Sequence, residues 1–157
     1  MTRRAPRDGG LLRIGEVAAR AGVTTRTLRY YQEVGLLAPT TTPAGTRFYT
    51  DDDVERLRRV LELRDVMGFD LERIKLILDS EDRLAAMRAE VQRGVSNKRR
   101  REMVDEAIDL NTRMQAEVRE KIGVLEGFLA ELTAKASRYR DVADELSPKT
   151  TGSRRSS

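Results

Sequence analysis

Residues 13–37 read RIGEVAARAGVTTRTLRYYQEVGLL, and two glycines in this stretch decide the fold. Ile14, Val17, Ala18 and Ala21 recur at the three- and four-residue spacing of one helix face. Gly22 stops that helix, because glycine takes the left-handed backbone of a helix end without steric cost. Thr24 follows, a hydroxyl residue suited to cap the first N–H groups of a second helix. Leu28, Tyr31 and Val34 give the second helix its apolar side, and Gly35 ends it. Two short helices joined by a tight glycine turn make a helix-turn-helix.

Outward from this pair the pattern changes twice. Leu36–Tyr49 holds Pro39, Pro43 and Gly45, then Arg47, Phe48 and Tyr49, turn residues leading into aromatic, extended ones. That order predicts a small hairpin, or wing. Thr50 followed by Asp51, Asp52 and Asp53 predicts a third helix, with a hydroxyl cap and acids in the first turn to suit the helix dipole. Three neighbouring Asp also suggest a metal site, but dipole physics alone accounts for them. Val54, Leu57, Val60 and Leu61 carry this helix to Met67, Gly68 breaks it, and Leu71–Leu78 gives a short fourth helix. Upstream, residues 1–10 contain Arg3, Arg4, Arg7, Pro6 and Gly9, and read as a disordered basic arm.

The last third has a different period. Ile108, Gln115, Ile122, Leu129, Ala136 and Ala143 fall at a positions, with Val104, Asn111, Val118, Leu125, Leu132, Tyr139 and Leu146 at d positions. This 3-4 spacing lasts about six heptads, which marks a coiled coil. The helix spans roughly 65 Å at ~1.5 Å per residue. Its stripe is too long to bury on so small a head, so it requires a second copy, and the sequence predicts a homodimer. Asn111 and Gln115 in the seam lower stability but fix register. Branched residues at a with Leu at d lean towards a parallel pair. The organisation is thus an arm over 1–10, a winged helix-turn-helix head over 11–79, a helical connector over 80–101, a dimerisation helix over 102–147 and a disordered tail over 148–157. The connector carries the basic run Lys98–Arg101, a solvated helix face or a phosphate contact.

Composition excludes several function classes. The chain of 157 residues has 39% apolar and 36% charged residues, a balance that suits long solvated helices. There is no Cys and no His. Disulfides, thiolate metal sites, iron–sulfur clusters and imidazole chemistry are therefore absent, and no metal or cofactor is expected. No acid–base pair, nucleophile or phosphate loop points to an enzyme. No apolar run reaches the ~20 residues of a membrane helix. The polar, basic start does not resemble a secretory signal, so a cytoplasmic protein is expected. The net charge of +4 fits a nucleic-acid partner.

The ordered run Arg13–Ala18, Gly22-Val23-Thr24, Thr27–Tyr31 and Gly35-Leu36-Leu37 resembles the signature of the MerR family of bacterial transcription regulators. Pro39, Gly45, Arg47 and Tyr49 look like its wing. Asp53-Val54, Leu57, Arg64, Met67-Gly68-Phe69, Leu71 and Ile74 look like its second helix pair. The chain departs from the family pattern at Thr41, where an Arg is usual, at Thr46, where an aromatic is usual, and at Gln32, where a Glu is usual. The resemblance implies an all-α fold with a small β wing: a winged helix-turn-helix head followed by a long dimerisation helix in an antiparallel coiled coil. It implies that the second helix enters the major groove of double-stranded promoter DNA, with Thr25, Arg26, Arg29 and Tyr30 reaching out. Arg29, Tyr30 and Arg47 would clamp backbone and Arg26 would read a base. Arg13, Thr24, Tyr31 and Tyr49 complete the expected DNA-binding set, with core packing the alternative for Tyr31. Ile108, Asn111, Val118, Ile122, Leu125, Leu129, Leu132 and Tyr139 form the expected dimer seam.

The family's mechanism implies a homodimer that distorts a palindromic promoter for RNA polymerase, under control of an effector. Without cysteines the thiol-based inputs of metal-sensing relatives are disfavoured. An apolar or organic small molecule at the dimer junction, a partner protein, or no effector remains. The alternatives are an effector-independent repressor or DNA-architectural protein, and a coiled-coil interaction protein with a vestigial head.

Overall fold

The computed structural model describes residues 10–41 and 45–147. The expected basic arm (apart from Gly10), the wing residues 42–44 with Pro43, and the expected tail 148–157 lie outside the described residues. Contacts divide the chain into two units, Met1–Met114 and Gln115–Ser157.

The first unit begins with α1 (Ile14–Ala21) and α2 (Thr25–Glu33). Gly22 between them has φ 68°, the left-handed conformation that lets the chain turn sharply. The two-stranded sheet follows, β1 (Thr40–Thr41) antiparallel to β2 (Arg47–Phe48), with Thr40 opposite Phe48 and Thr41 opposite Arg47. One residue on, Tyr49 and Leu12 exchange backbone hydrogen bonds of 2.8 and 2.9 Å. The wing is thereby fastened to the chain entering α1. Helix α3 (Asp51–Leu61) is capped by Thr50, whose Oγ1 accepts from the Asp53 N–H at 3.3 Å while Asp53 Oδ2 accepts from the Thr50 N–H at 2.7 Å. Asp51 pairs with Arg20 at 3.0 Å. The Asp triplet is therefore a helix start.

A wide π-helical turn, Glu62–Val66, extends α3 before Gly68 (φ 65°) reverses the chain. Helix α4 then runs over Leu71–Gln92. The sequence suggested a short helix to Leu78 and a separate connector helix, but no break occurs at the polar stretch Asp79–Asp82. Ser80 is buried and donates to the Leu76 carbonyl at 2.8 Å, so its hydroxyl stays on the helix. Glu81 and Asp82 pair with Arg59 and Arg56 of α3, each at 2.7 Å. Gly94 (φ 92°) marks the turn out of α4.

Helix α5 (Asn97–Leu146) starts earlier than the heptads imply and takes Lys98–Arg101 into its first turns. Ser96 Oγ accepts from the Arg99 N–H at 3.2 Å. Arg99 pairs with Glu90 at 2.9 Å and Arg83 with Glu106, whose second contact is 2.7 Å, so ion pairs brace α4 against the start of α5. In this part of α5 Met103 is buried and Met114 packs on the core, while Val104 and Ile108 on another face are exposed.

The core is one cluster drawn from the helices of the head, with Leu36 after α2 and Tyr49 after β2: Val17, Leu28, Tyr31, Leu36, Tyr49, Leu57, Val60 and Ile74 are fully buried. The all-α architecture with a small β wing is as the sequence implies. The described part of the second unit is the helical segment 115–146 of α5, where Val118, Ile122, Leu125, Leu129, Leu132 and Tyr139 are exposed to between 44% and 72%. Among the described residues no helix is long and apolar enough to cross a membrane.

Candidate nucleic-acid interface

Helix α2 is held at both ends. Thr24 Oγ1 accepts from the Thr27 N–H at 3.1 Å, satisfying one of the unpaired donors of the first turn. At the other end Gly35 (φ 78°) lets the Leu36 N–H reach back to the Tyr31 carbonyl at 2.9 Å. Leu28 and Tyr31 point into the core. The helical period then turns Thr25, Arg26, Arg29 and Tyr30 outward, and all four are exposed. Tyr30 is 47% exposed, its ring centre 6.1 Å from that of Tyr31.

The distribution of ion pairs picks out the same face. Over residues 10–81, Arg20, Arg56, Arg58, Arg59, Arg64, Arg73 and Lys75 each pair with an acid. Arg13, Arg26, Arg29 and Arg47 have no acid partner among the described residues. They sit at the start of α1, on α2 and on β2. Exposed cations elsewhere in the head are neutralised; here four guanidinium groups keep their full charge, which favours an anionic partner.

Three of the four are oriented by neutral contacts or left open. Arg47 Nη1 donates to Gln32 Oε1 at 3.1 Å. Arg13 stacks over the Phe48 ring at 5.9 Å, while its backbone N–H is capped by Glu16 at 2.7 Å. Arg26 borders an open hollow of about 530 Å³ that Tyr30, Arg64, Asp70 and Leu71 also line. The hollow lies between α2 and the start of α4. Asp70 Oδ1 accepts from the Arg73 N–H at 2.9 Å and caps that start.

Two expected contact residues lie inside instead. Tyr31 and Tyr49 are 1% and 0% exposed, so neither ring can lie on a partner's surface. Tyr31 Oη accepts from Arg64, and burial pushes its phenol above the ordinary range. Tyr49 Oη accepts from Gln32 Nε2. These tyrosines support the face from behind. Thr24 works as a cap. Gln32 and Arg64, which hold these tyrosines, belong to no site the sequence pattern marks. Their signal is position: Gln32 directly follows the tyrosine pair, and Arg64 continues the stripe of Leu57, Val60 and Leu61 at helical spacing.

The description "MerR HTH family regulatory protein" matches residues 12–81. The HTH-type transcriptional regulator YfmP of Bacillus subtilis is 31% identical over 131 residues, spanning 81% of this chain and 94% of the relative. The HTH-type transcriptional activator TipA of Streptomyces coelicolor is 43% identical over 81 residues, 51% of this chain but 31% of TipA. In fold, the chain is similar to a MerR-family transcriptional regulator from Listeria monocytogenes, with a TM-score of 0.54 at 21% identity over 86% of this chain and 93% of that one.

Proposed function

The chain belongs to the MerR family of helix-turn-helix regulatory proteins, and from that premise we propose that it controls transcription as a homodimer distorting a palindromic promoter site. It is a DNA-binding transcriptional regulator and not an enzyme. The observation that carries the DNA-facing part of the reading is the set of unpaired guanidiniums. Arg13, Arg26, Arg29 and Arg47 gather on the α1, α2 and wing face while the other cations of the head are paired. Phosphates supply the missing charge. Helix α2 enters the major groove, where Arg26 reads a base edge and Arg29, Tyr30 and Arg47 hold the backbone.

The dimer part of the reading rests on the exposed stripe of α5. Ile108, Asn111, Val118, Ile122, Leu125, Leu129, Leu132 and Tyr139 stand at heptad spacing and are exposed. Apolar surface of that extent on a soluble regulator is covered by a second copy. Two heads on one dimer match a two-fold site, and bending or untwisting it stores several kcal/mol by elastic estimates. RNA polymerase reads the distorted promoter, and a small-molecule effector of organic or apolar type shifts the distorting population. The protein works in the cytoplasm. Footprinting and run-off transcription on the promoter beside its own gene test this. Protection of a palindrome with altered transcript yield is expected; no protected site at any salt concentration would sink the reading.

A further inference from the structure

Gln32 stands on the last turn of α2, and its side chain links that helix to two residues of the wing region. Its Nε2 donates to the hydroxyl of Tyr49, which is fully buried, and its Oε1 accepts from Arg47 Nη1 at 3.1 Å. Tyr49 in turn exchanges both backbone hydrogen bonds with Leu12, and Arg47 pairs across the sheet with Thr41. One side chain of α2 thus sets where the wing's cation stands relative to α2. The chemistry of that side chain decides what charge the cation keeps. An amide can accept a guanidinium N–H without bringing a negative charge, whereas a carboxylate in the same place would form an ion pair. Among the described residues Arg47 makes no ion pair, so its charge is intact on the exposed face.

We infer that Gln32 is a positioning residue that aims Arg47 while leaving its charge uncompensated, so that an amide here, in place of the glutamate usual in the family, strengthens the wing's hold on an anionic backbone by one uncompensated charge. The inference rests on the DNA-binding reading above and adds the residue that tunes it. Gln32→Glu is the sharp probe. The two side chains have the same shape, and the Tyr49 hydroxyl can turn from accepting to donating, so the link to the wing survives. The carboxylate then competes with phosphate for Arg47. Gln32→Ala makes the opposite change: Arg47 keeps its charge but loses its aim.

The test is fluorescence anisotropy with a labelled mixed-sequence duplex, which needs no knowledge of the target site, titrated between about 50 and 200 mM salt. Circular dichroism confirms that each variant is folded. The wild type should bind with affinity falling steeply as salt rises. In Gln32→Glu the slope of log affinity against log salt should shrink by about 0.9, the loss of one phosphate contact, with several-fold weaker binding at low salt. In Gln32→Ala the slope should hold while affinity drops. In an Arg47→Ala background Gln32→Glu should change nothing further, since the two act through one group. A wild-type slope in Gln32→Glu overturns the inference, as does an effect that persists without Arg47. A wild type without salt-dependent DNA binding overturns the underlying reading and the inference with it, and that arm is read before any variant.

Discussion

The Arg64 guanidinium donates from Nη1 to the hydroxyl of Tyr31 and lies 5.8 Å from the centre of the same ring. It also holds Asp65 at 2.6 Å, which keeps that carboxyl below its ordinary range. The π-helical turn brings Arg64 to this place, so a helical irregularity supports α2 from behind. Tyr31→Phe removes one hydrogen bond and leaves Arg64 with Asp65, a loss of about 0.5–1.5 kcal/mol. Arg64→Ala strands the Tyr31 hydroxyl, at about 1–3 kcal/mol. Urea unfolding midpoints should follow that order. DNA affinity of Tyr31→Phe should stay within the ~0.5 kcal/mol of a neutral change, because the ring is inside. A large affinity loss at unchanged stability would return Tyr31 to the contact surface.

Thr24 and Thr25 are neighbours with separate tasks. Thr24 caps α2 through the Thr27 N–H, and Thr25 is exposed on its first turn. Thr24→Ala is expected to lower stability by about 1 kcal/mol, the usual worth of an N-cap. Thr25→Ala should leave the unfolding curve unmoved and weaken binding to DNA. Stability loss in both variants, or in neither, would contradict this division.

Much of the head was legible in the sequence because local rules and tertiary packing agree there. Gly22, Thr24, Gly35 and Gly68 each punctuate the chain as turn chemistry predicts, and Leu28, Leu57 and Ile74 bury as their periodicity requires. The outward face of α2 was legible for the same reason. The polar run Asp79–Asp82 misled, since composition looked like a linker while ion pairs to Arg56 and Arg59 keep it helical. The inward placement of Tyr49 depends on the Leu12 bridge and Gln32, contacts between residues far apart in sequence. The packing of Met103 and Met114 was masked because they flank the heptad seam, and a single stripe reads as one face when α5 uses two.

Arg26 and Arg29 allow base reading to be separated from backbone binding. Neither has an acid partner among the described residues, so removing either should leave the fold intact. Arg29→Ala is expected to weaken binding evenly across sequences and lower the salt slope by about 1. Arg26→Ala should cost about 1–3 kcal/mol on the target site and relax the preference at one base position. Affinity measured on a panel of single-base variants of the footprinted site checks both. Equal loss on every variant with Arg26→Ala would make it a second backbone clamp.

The bracing of α4 against α5 should respond to acid. Hydrogen bonds from Arg83 and Arg99 hold the Glu106 and Glu90 carboxyls below the ordinary glutamate value of 4.5. A carboxyl with a depressed folded value stabilises the fold above its unfolded value and loses that contribution as pH falls through the folded one. The helix pair is therefore expected to loosen below about pH 4.5, in a window absent from a Glu90→Gln, Glu106→Gln double variant. Both groups are partly exposed, so the effect should be modest and weaker at high salt. Amide hydrogen exchange over residues 83–106 at falling pH reads it. A pH response identical in the double variant would assign the loosening to other carboxylates.

The stripe on α5 makes the strongest demand for a second copy. Leu129 is 63% exposed at the middle of the seam and belongs to no core cluster of the head. Burying one such side chain contributes about 1.5–3 kcal/mol, and a glutamate there would put a charge into the apolar layer of each helix. Leu129→Glu is therefore expected to dissociate the dimer, seen as a halved mass by sedimentation velocity. The head should keep its near-native unfolding transition, because Leu129 is not part of its core cluster. Binding to the full palindrome should fall by a factor of about 10² or more, since two linked heads hold a two-fold site far more tightly than separate ones. Binding to an isolated half-site should stay unchanged. Asn111→Leu should act in the other direction, tightening self-association while loosening its register. A wild-type chain that sediments as a monomer at micromolar concentration would remove the dimer from the mechanism and leave the exposed stripe for a different partner.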